Sequence, residues 1–281
     1  MREEIDSTLR VLVKHGCTHA AMIEYLKRTS ATRPMRNVIS LMMLIAAGVA
    51  VRPTAAQLCS RGCPPCTYRH TLTENFDNLT PPALPTGWLA TNALGPPPLW
   101  VTSNSGVPNP PADTPPNAAF IDNLSVPSDK RLDSIPFSFS KYTSCAQLTF
   151  RHNFNLEASD IDPNVGFDGG VLEISTDGGN TFEDILMAGG RFVMGGYNRT
   201  IATDRGSPIA GREAWSGNSQ GFITTVVNLP VILVGQYKLR WRMASDNSGS
   251  GEGWRVDTVE ISWCSGIPCN GRPRPTPAPR P

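Results

Sequence analysis

The sequence is short of the features that usually announce an activity. It carries 4 histidines, and only His70 and His152 fall beyond residue 56. No His-Glu-x-x-His run occurs, so the ligand set of a zinc-peptidase helix is missing. Charge of one sign is missing as well. The 25 Lys+Arg stand against 24 Asp+Glu, which leaves no electrostatic footprint for nucleic acid. No apolar run is long enough to cross a bilayer comfortably. Residues 38–51, VISLMMLIAAGVAV, number 14 and would span only ~21 Å as a helix, against ~30 Å of hydrocarbon. Uninterrupted helix-forming sequence is scarce too. The 26 Pro and 25 Gly argue against a helical bundle or a coiled coil. What is present suits another architecture. A hydrophobic content of 40% can build a packed core, and the abundant proline and glycine suit strands joined by many turns.

The apolar run has a place in targeting. It follows Met35-Arg36-Asn37 and leads to Thr54-Ala55-Ala56. A short basic start, an apolar middle and small residues before the cut predict a signal peptide at 35–56, with membrane contact through that segment alone. Arg52-Pro53 interrupts the end of the run and weighs against an uncleaved anchor. Residues 1–34 precede a complete signal, so they are expected to be an extension outside the folded domain, with Met35 as the true start. Removal of the signal leaves Cys59, Cys63, Cys66, Cys145, Cys264 and Cys269. An even number in an exported chain reads as disulfides, although their pairing is not fixed by sequence. A zinc site at the first three is the weaker reading, because no second pair completes it. The expected organisation is a cysteine-rich segment at 57–70, a folded domain at 71–269 and a proline-rich tail at 270–281.

The folded part alternates. Leu148, Phe150, His152, Phe154 and Leu156 are separated by polar residues, and so are Tyr237, Leu239, Trp241 and Met243. Period two turns each apolar set toward one side of a strand. Residues 222–229 and 256–263 are rich in β-branched side chains. Weaker strands are expected near 71–76, 99–102, 118–121, 135–140, 170–175 and 182–187. Turn clusters such as Asp177-Gly178-Gly179-Asn180 and residues 246–253 separate them. The fold class is therefore all-β, an antiparallel β-sandwich.

Several stretches then resemble a family. They are ENFDNL at 74–79, PTGW at 85–88, LTFRHNF at 148–154, FDGGVLEIS at 167–175, GGYN at 195–198, WSGNS at 215–219, LRWR at 239–242 and GWRVDTVEIS at 253–262. In this order they resemble the jelly-roll modules related to MAM domains and to the accessory domain of immune inhibitor A-like secreted peptidases. The resemblance covers roughly residues 71–263. It implies a secreted or cell-surface bacterial module without catalytic activity, with a structural, adhesion or accessory role, and sometimes a structural calcium. It assigns no ligand, and the expected partner is an extracellular glycan or protein.

Gly217-Asn218-Ser219-Gln220-Gly221 fits the nucleophile pattern G-x-S-x-G, but a strand rather than a helix follows it, and no histidine lies beyond His152. His152 is expected to be a buried core residue. Ser175–Phe182 fits an Asp-box pattern and is read as a hairpin turn. Calcium is the cofactor expectation. Asp257 shares its parity with Val259 and Ile261, so it should point inward, where a carboxylate needs a partner. In a jelly roll the first strand can bring Glu74 and Asp77 toward it. Separately, Asp160 and Asp162, with Asp168 further on, offer oxygens at the spacing of a calcium loop, although Val165 stands where such a loop turns on glycine. Trp88, Trp100, Trp215 and Trp254 fall at loops or strand ends and are the candidates for a sugar-stacking platform, the basis of an alternative carbohydrate-binding reading.

Overall fold

The computed structural model describes residues 67–140, 143–230 and 235–265. The extension, the signal segment, Cys59, Cys63, Cys66, Cys269 and the tail lie outside the described residues. Within them there is no helix, and none long and apolar enough to cross a membrane.

The strands are β1 (Thr67–Glu74), β2 (Leu89–Leu94), β3 (Val101–Ser103), β4 (Ala118–Ile121), β5 (Ser128–Asp133), β6 (Thr143–Leu156), β7 (Val165–Gly166) and β8 (Gly169–Ser175). They continue with β9 (Glu183–Asp184), β10 (Arg191–Met194), β11 (Arg199–Ile201), β12 (Glu213–Ala214), β13 (Gly217–Asn218), β14 (Ile223–Asn228), β15 (Lys238–Ser245) and β16 (Gly253–Ser265). One sheet runs β10-β14-β6-β16-β4-β3, with β1 also paired to β16 and β13 to β6. The second runs β2-β5-β15-β8-β9, and β12-β11-β7 forms a small third sheet. Every pairing in the two large sheets is antiparallel.

The alternation decides which faces meet. Leu148, Phe150, His152, Phe154 and Leu156 of β6 are all buried, as are Leu239, Trp241 and Met243 of β15. An aromatic contact joins the two sheets, with Trp241 of β15 perpendicular to Phe150 of β6 at 5.7 Å, and Trp88, just before β2, stacks on Trp241 at 5.7 Å. Of the expected strands, 135–140 is reduced to a single bridge between Phe137 and Tyr237.

β5 departs most from the sequence reading. Its residues, SDKRLD, are strongly polar, yet the strand is interior to its sheet and nearly all buried. Its charges find partners across the ladder. Asp133 accepts two bonds from Arg240, and Asp129 accepts from both Arg131 and Arg242. Glu173 of β8 extends the network to Arg242 and Arg212. Paired in this way, charged side chains can line a sheet face that apolar residues would otherwise occupy.

β1 and β16 pair along most of their length, with Thr67 opposite Ser265. The chain therefore enters and leaves the sandwich at neighbouring points. Cys264 lies at this seam, opposite Tyr68.

Candidate metal centre

Three strand ends place acidic residues together. Glu157 follows the last residue of β6, Asp168 precedes the first of β8, and Asp246 follows the last of β15. Because Ala244 of β15 lies opposite Gly169 of β8, Asp246 and Asp168 must emerge at the same end of their sheet. Backbone bonds from Phe167 and Asp168 to the Glu157 carbonyl bring the end of β6 to the same spot. One ligand oxygen from each of Glu157, Asp168 and Asp246 lies within 4.8 Å of the other two.

Asn123 organises the junction. Its Oδ1 accepts from the backbone N–H of Glu157 at 3.2 Å and of Gly251 at 2.7 Å, and its Nδ2 donates to Asp168 Oδ2 at 2.6 Å. Asp168 Oδ1 accepts from the Asp246 N–H at 2.6 Å, and Asp246 Oδ1 accepts from the Ser248 N–H at 2.8 Å. The next loop closes over the group at Gly249. Its φ is +63°, and a Cβ there would overlap the Glu157 carboxylate, so only glycine fits without displacement.

The electrostatics are unbalanced. Asp168 and Asp246 are fully buried. Glu157 Oε2 and Asp246 Oδ2 are buried with no hydrogen-bond partner. Among the described residues no lysine, arginine or histidine forms an ion pair with any of the three. Burial pushes the Asp168 carboxyl up to about 7, outweighing its hydrogen bonds, and the charges of Asp246 and Glu157 push the same way. Burial, with Asp246 beside it, raises Glu157 too, against the opposing charge of Arg205.

Of the six carboxylates expected to bind calcium, the structure brings only Asp168 into this group. Asp257 is fully buried, as its parity required. It does not meet Glu74 and Asp77 in a shared cluster, because its oxygens are already occupied. Oδ2 accepts from the N–H groups of Asp113 at 2.8 Å and Thr114 at 2.9 Å, and Oδ1 from Thr258 N–H at 2.6 Å. The residue pins the proline-rich loop onto β16. Glu74 Oε1 caps the Phe76 N–H, and Asp77 accepts from Asn75 and from the Asn117 N–H.

The loop of Asp160 and Asp162 is held by an internal cation. Arg199 Nη1 donates to the carbonyls of Ser159, Asp162 and Val165 at 3.4, 3.3 and 3.1 Å. Asp162 Oδ1 is turned inward to its own loop, accepting from Asn164 N–H. The oxygen spacing that resembles a calcium loop is thus turn capping around a guanidinium.

The tryptophan platform is corrected as well. Trp88 is 7% exposed, Trp100 1%, and Trp215 and Trp254 0%. Loop and strand-end position misled here, because all four indoles turn into the main hydrophobic core. Trp215 packs against Phe150 and Trp254, and Trp254 against Trp100. Indoles packed inside cannot stack on a sugar.

Ser219 is structural. Its Oγ accepts from the Phe154 N–H at 2.9 Å and from Asn153 at 3.0 Å, and donates to the Gly221 carbonyl at 2.8 Å. His152 is buried, and both its ring nitrogens are engaged: Trp254 Nε1 donates to Nδ1, and Nε2 pairs with Thr225 Oγ1. Burial, with Arg151 adding to it, lowers this imidazole to about 3, so it stays neutral. The G-x-S-x-G match therefore supplies no nucleophile and base. In the Asp-box turn, Asp177 accepts from Ser175, Asn180 and Thr181, and these bonds hold its carboxyl well below the usual range.

No protein-family model matches the sequence, and no curated relative does. Solved structures give distant likenesses. The chain is similar to the K2 cleaved adhesin domain of Lys-gingipain, at 18% identity over 68% of this chain and 97% of that one, with a TM-score of 0.41. It is also similar to the K3 cleaved adhesin domain of Lys-gingipain from Porphyromonas gingivalis, at 15% identity over 70% and 99%, with a TM-score of 0.36. A third likeness is to TmCBM61 in complex with β-1,4-galactotriose, at 11% identity over 63% and 88%, with a TM-score of 0.36. Likenesses this distant assign no ligand.

Proposed function

We propose that this chain is an exported β-sandwich module, without catalysis of its own, that serves a structural, adhesion or accessory role toward an extracellular glycan or protein. The observation that carries the reading is the seam between β1 and β16. With Thr67 opposite Ser265, the chain enters and leaves at one point, so the sandwich can be inserted beside other domains without disturbing them. A disulfide at Cys264 fits an oxidising compartment and the signal peptide expected at 35–56. The affinity to MAM-like and immune inhibitor A-type modules belongs to this proposal, carried by the motifs strung from Glu74 to Ser262. A glycan ligand stays within it, but would have to be held by groups other than the four buried tryptophans.

The test is binding against glycan arrays and panels of extracellular proteins, run beside turnover assays on the same glycans and on peptides. Saturable binding without turnover is the expected result. Reproducible turnover that a single substitution abolishes would overturn the reading.

A further inference from the structure

We propose that Glu157, Asp168 and Asp246 hold one divalent cation of the calcium class, which clasps the two large sheets where β6 and β15 end and β8 begins. Acidic residues near one another do not make a site alone. Here the second observation is Asp246 itself: the residue is fully buried, and its Oδ2 has no hydrogen-bond partner. Glu157 Oε2 is orphaned in the same place. A buried anionic oxygen without a donor is costly, and two beside a third carboxylate are costlier. A cation removes the deficit at all three together.

The chemistry selects the ion. The group offers only oxygen donors, which suits a hard cation over zinc or copper. Ligand oxygens within 4.8 Å of one another fit around an ion that binds oxygen at roughly 2.3–2.6 Å and tolerates irregular shells of six to eight. Magnesium wants a near-ideal octahedron at about 2.0–2.1 Å, whereas these ligands come from three separate strand ends. Asn123 acts as a positioning residue, orienting Asp168 through Nδ2 while its Oδ1 anchors Glu157 and Gly251. The loop after Asp246 closes over the site through Gly249. The site is independent of the module reading, and each can fail without the other.

The experiment is calcium titration of the full chain after chelator treatment, read by calorimetry and by thermal unfolding. One calcium per chain should bind, and the Tm should rise by about 5–10 °C at a hundredfold excess over the Kd. Asp246→Asn and Glu157→Gln should each lose that rise, whereas Asp257→Asn and Asp162→Asn should keep it. Glu157 is partly exposed, so Glu157→Gln carries the test if Asp246→Asn fails to fold. Absence of both heat and shift in the unmutated chain overturns the proposal. So does a full calcium response in both site variants. An equal shift with magnesium at the same concentration overturns the choice of calcium.

Discussion

Asp257, within β16, and Asp246, just past the end of β15, are both fully buried carboxylates of the same sandwich. Asp257 receives three backbone N–H bonds and locks a loop. Asp246 receives one, from Ser248, and leaves its other oxygen bare beside Glu157 and Asp168. Burial alone therefore does not mark a metal ligand. What separates Asp246 from Asp257 under the proposal is the supply of N–H donors: Asp257 is satisfied largely by the backbone, whereas Asp246 Oδ2 has an outstanding demand.

The sharpest way to break this contrast is to delete each acid. Asp257→Ala strands three N–H donors and frees the loop at 113–114, and should cost about 3 kcal/mol or more by denaturant unfolding, equally with and without calcium. Asp246→Ala removes a repulsive charge, and in chelator should cost under about 1 kcal/mol or stabilise. A reversed order would remove the distinction.

A second prediction concerns pH. Burial lifts the folded-state Asp168 carboxyl from 3.8 to about 7, so its contribution to stability is present below about 3.8 and lost as pH rises through 7. Asp257, raised by burial to about 6, acts in the same sense. His152, lowered by burial from 6.5 to about 3, acts oppositely: its contribution is present above 6.5 and lost as pH falls toward 3. The slopes oppose one another between about pH 4 and 6.5, each at up to ~1.4 kcal/mol per unit. Asp168→Asn in chelator should tilt the balance toward His152: it removes one of the two falling slopes and leaves Asp257 alone to oppose the rising one, so that stability between about pH 4 and 6 goes from falling to nearly level. Saturating calcium should produce the same tilt in the unmutated chain, by holding Asp168 ionised. Urea unfolding across that range measures both, and an unchanged profile in the variant would contradict the assignment to Asp168.

Smaller effects sharpen the contrast at its edges. Arg199→Ala removes the guanidinium that gathers three carbonyls of the 159–165 loop, and should cost about 1–2 kcal/mol with faster proteolysis there. Calcium should not restore it if the loop is no cation site. Ser219→Ala should cost about 1 kcal/mol through its lost backbone bonds, and labelling by a serine-reactive probe should be absent before and after the change.

The β architecture was legible because alternation is a local signal: Leu148 to Leu156 and Leu239 to Met243 show their faces within a few residues. β5 was not, because Asp129, Arg131 and Asp133 look like solvent-facing residues until Arg240 and Arg242 are placed across the ladder. The tryptophans misled for a related reason. A loop indole reads as exposed until the core that it packs into is placed around it. At the site, Asp168 stood out as an oxygen following the Asp160 and Asp162 spacing. Glu157 and Asp246 were passed over, since Asp246 opens what reads as an ordinary turn cluster and Glu157 merely ends a strand. Only the register of β15 on β8, and the bonds from 167–168 to Glu157, bring the three together. A weak signal was present: each of the three acids directly abuts a long alternating or apolar strand, where an unpaired charge is least comfortable.

The most direct test of the contrast is a crystal grown in calcium, with anomalous scattering recorded to locate the ion. The account predicts a single peak bounded by Glu157, Asp168 and Asp246, and none at Asp257. A peak shared by Asp257, Glu74 and Asp77, or an empty map at the three strand ends, would contradict it.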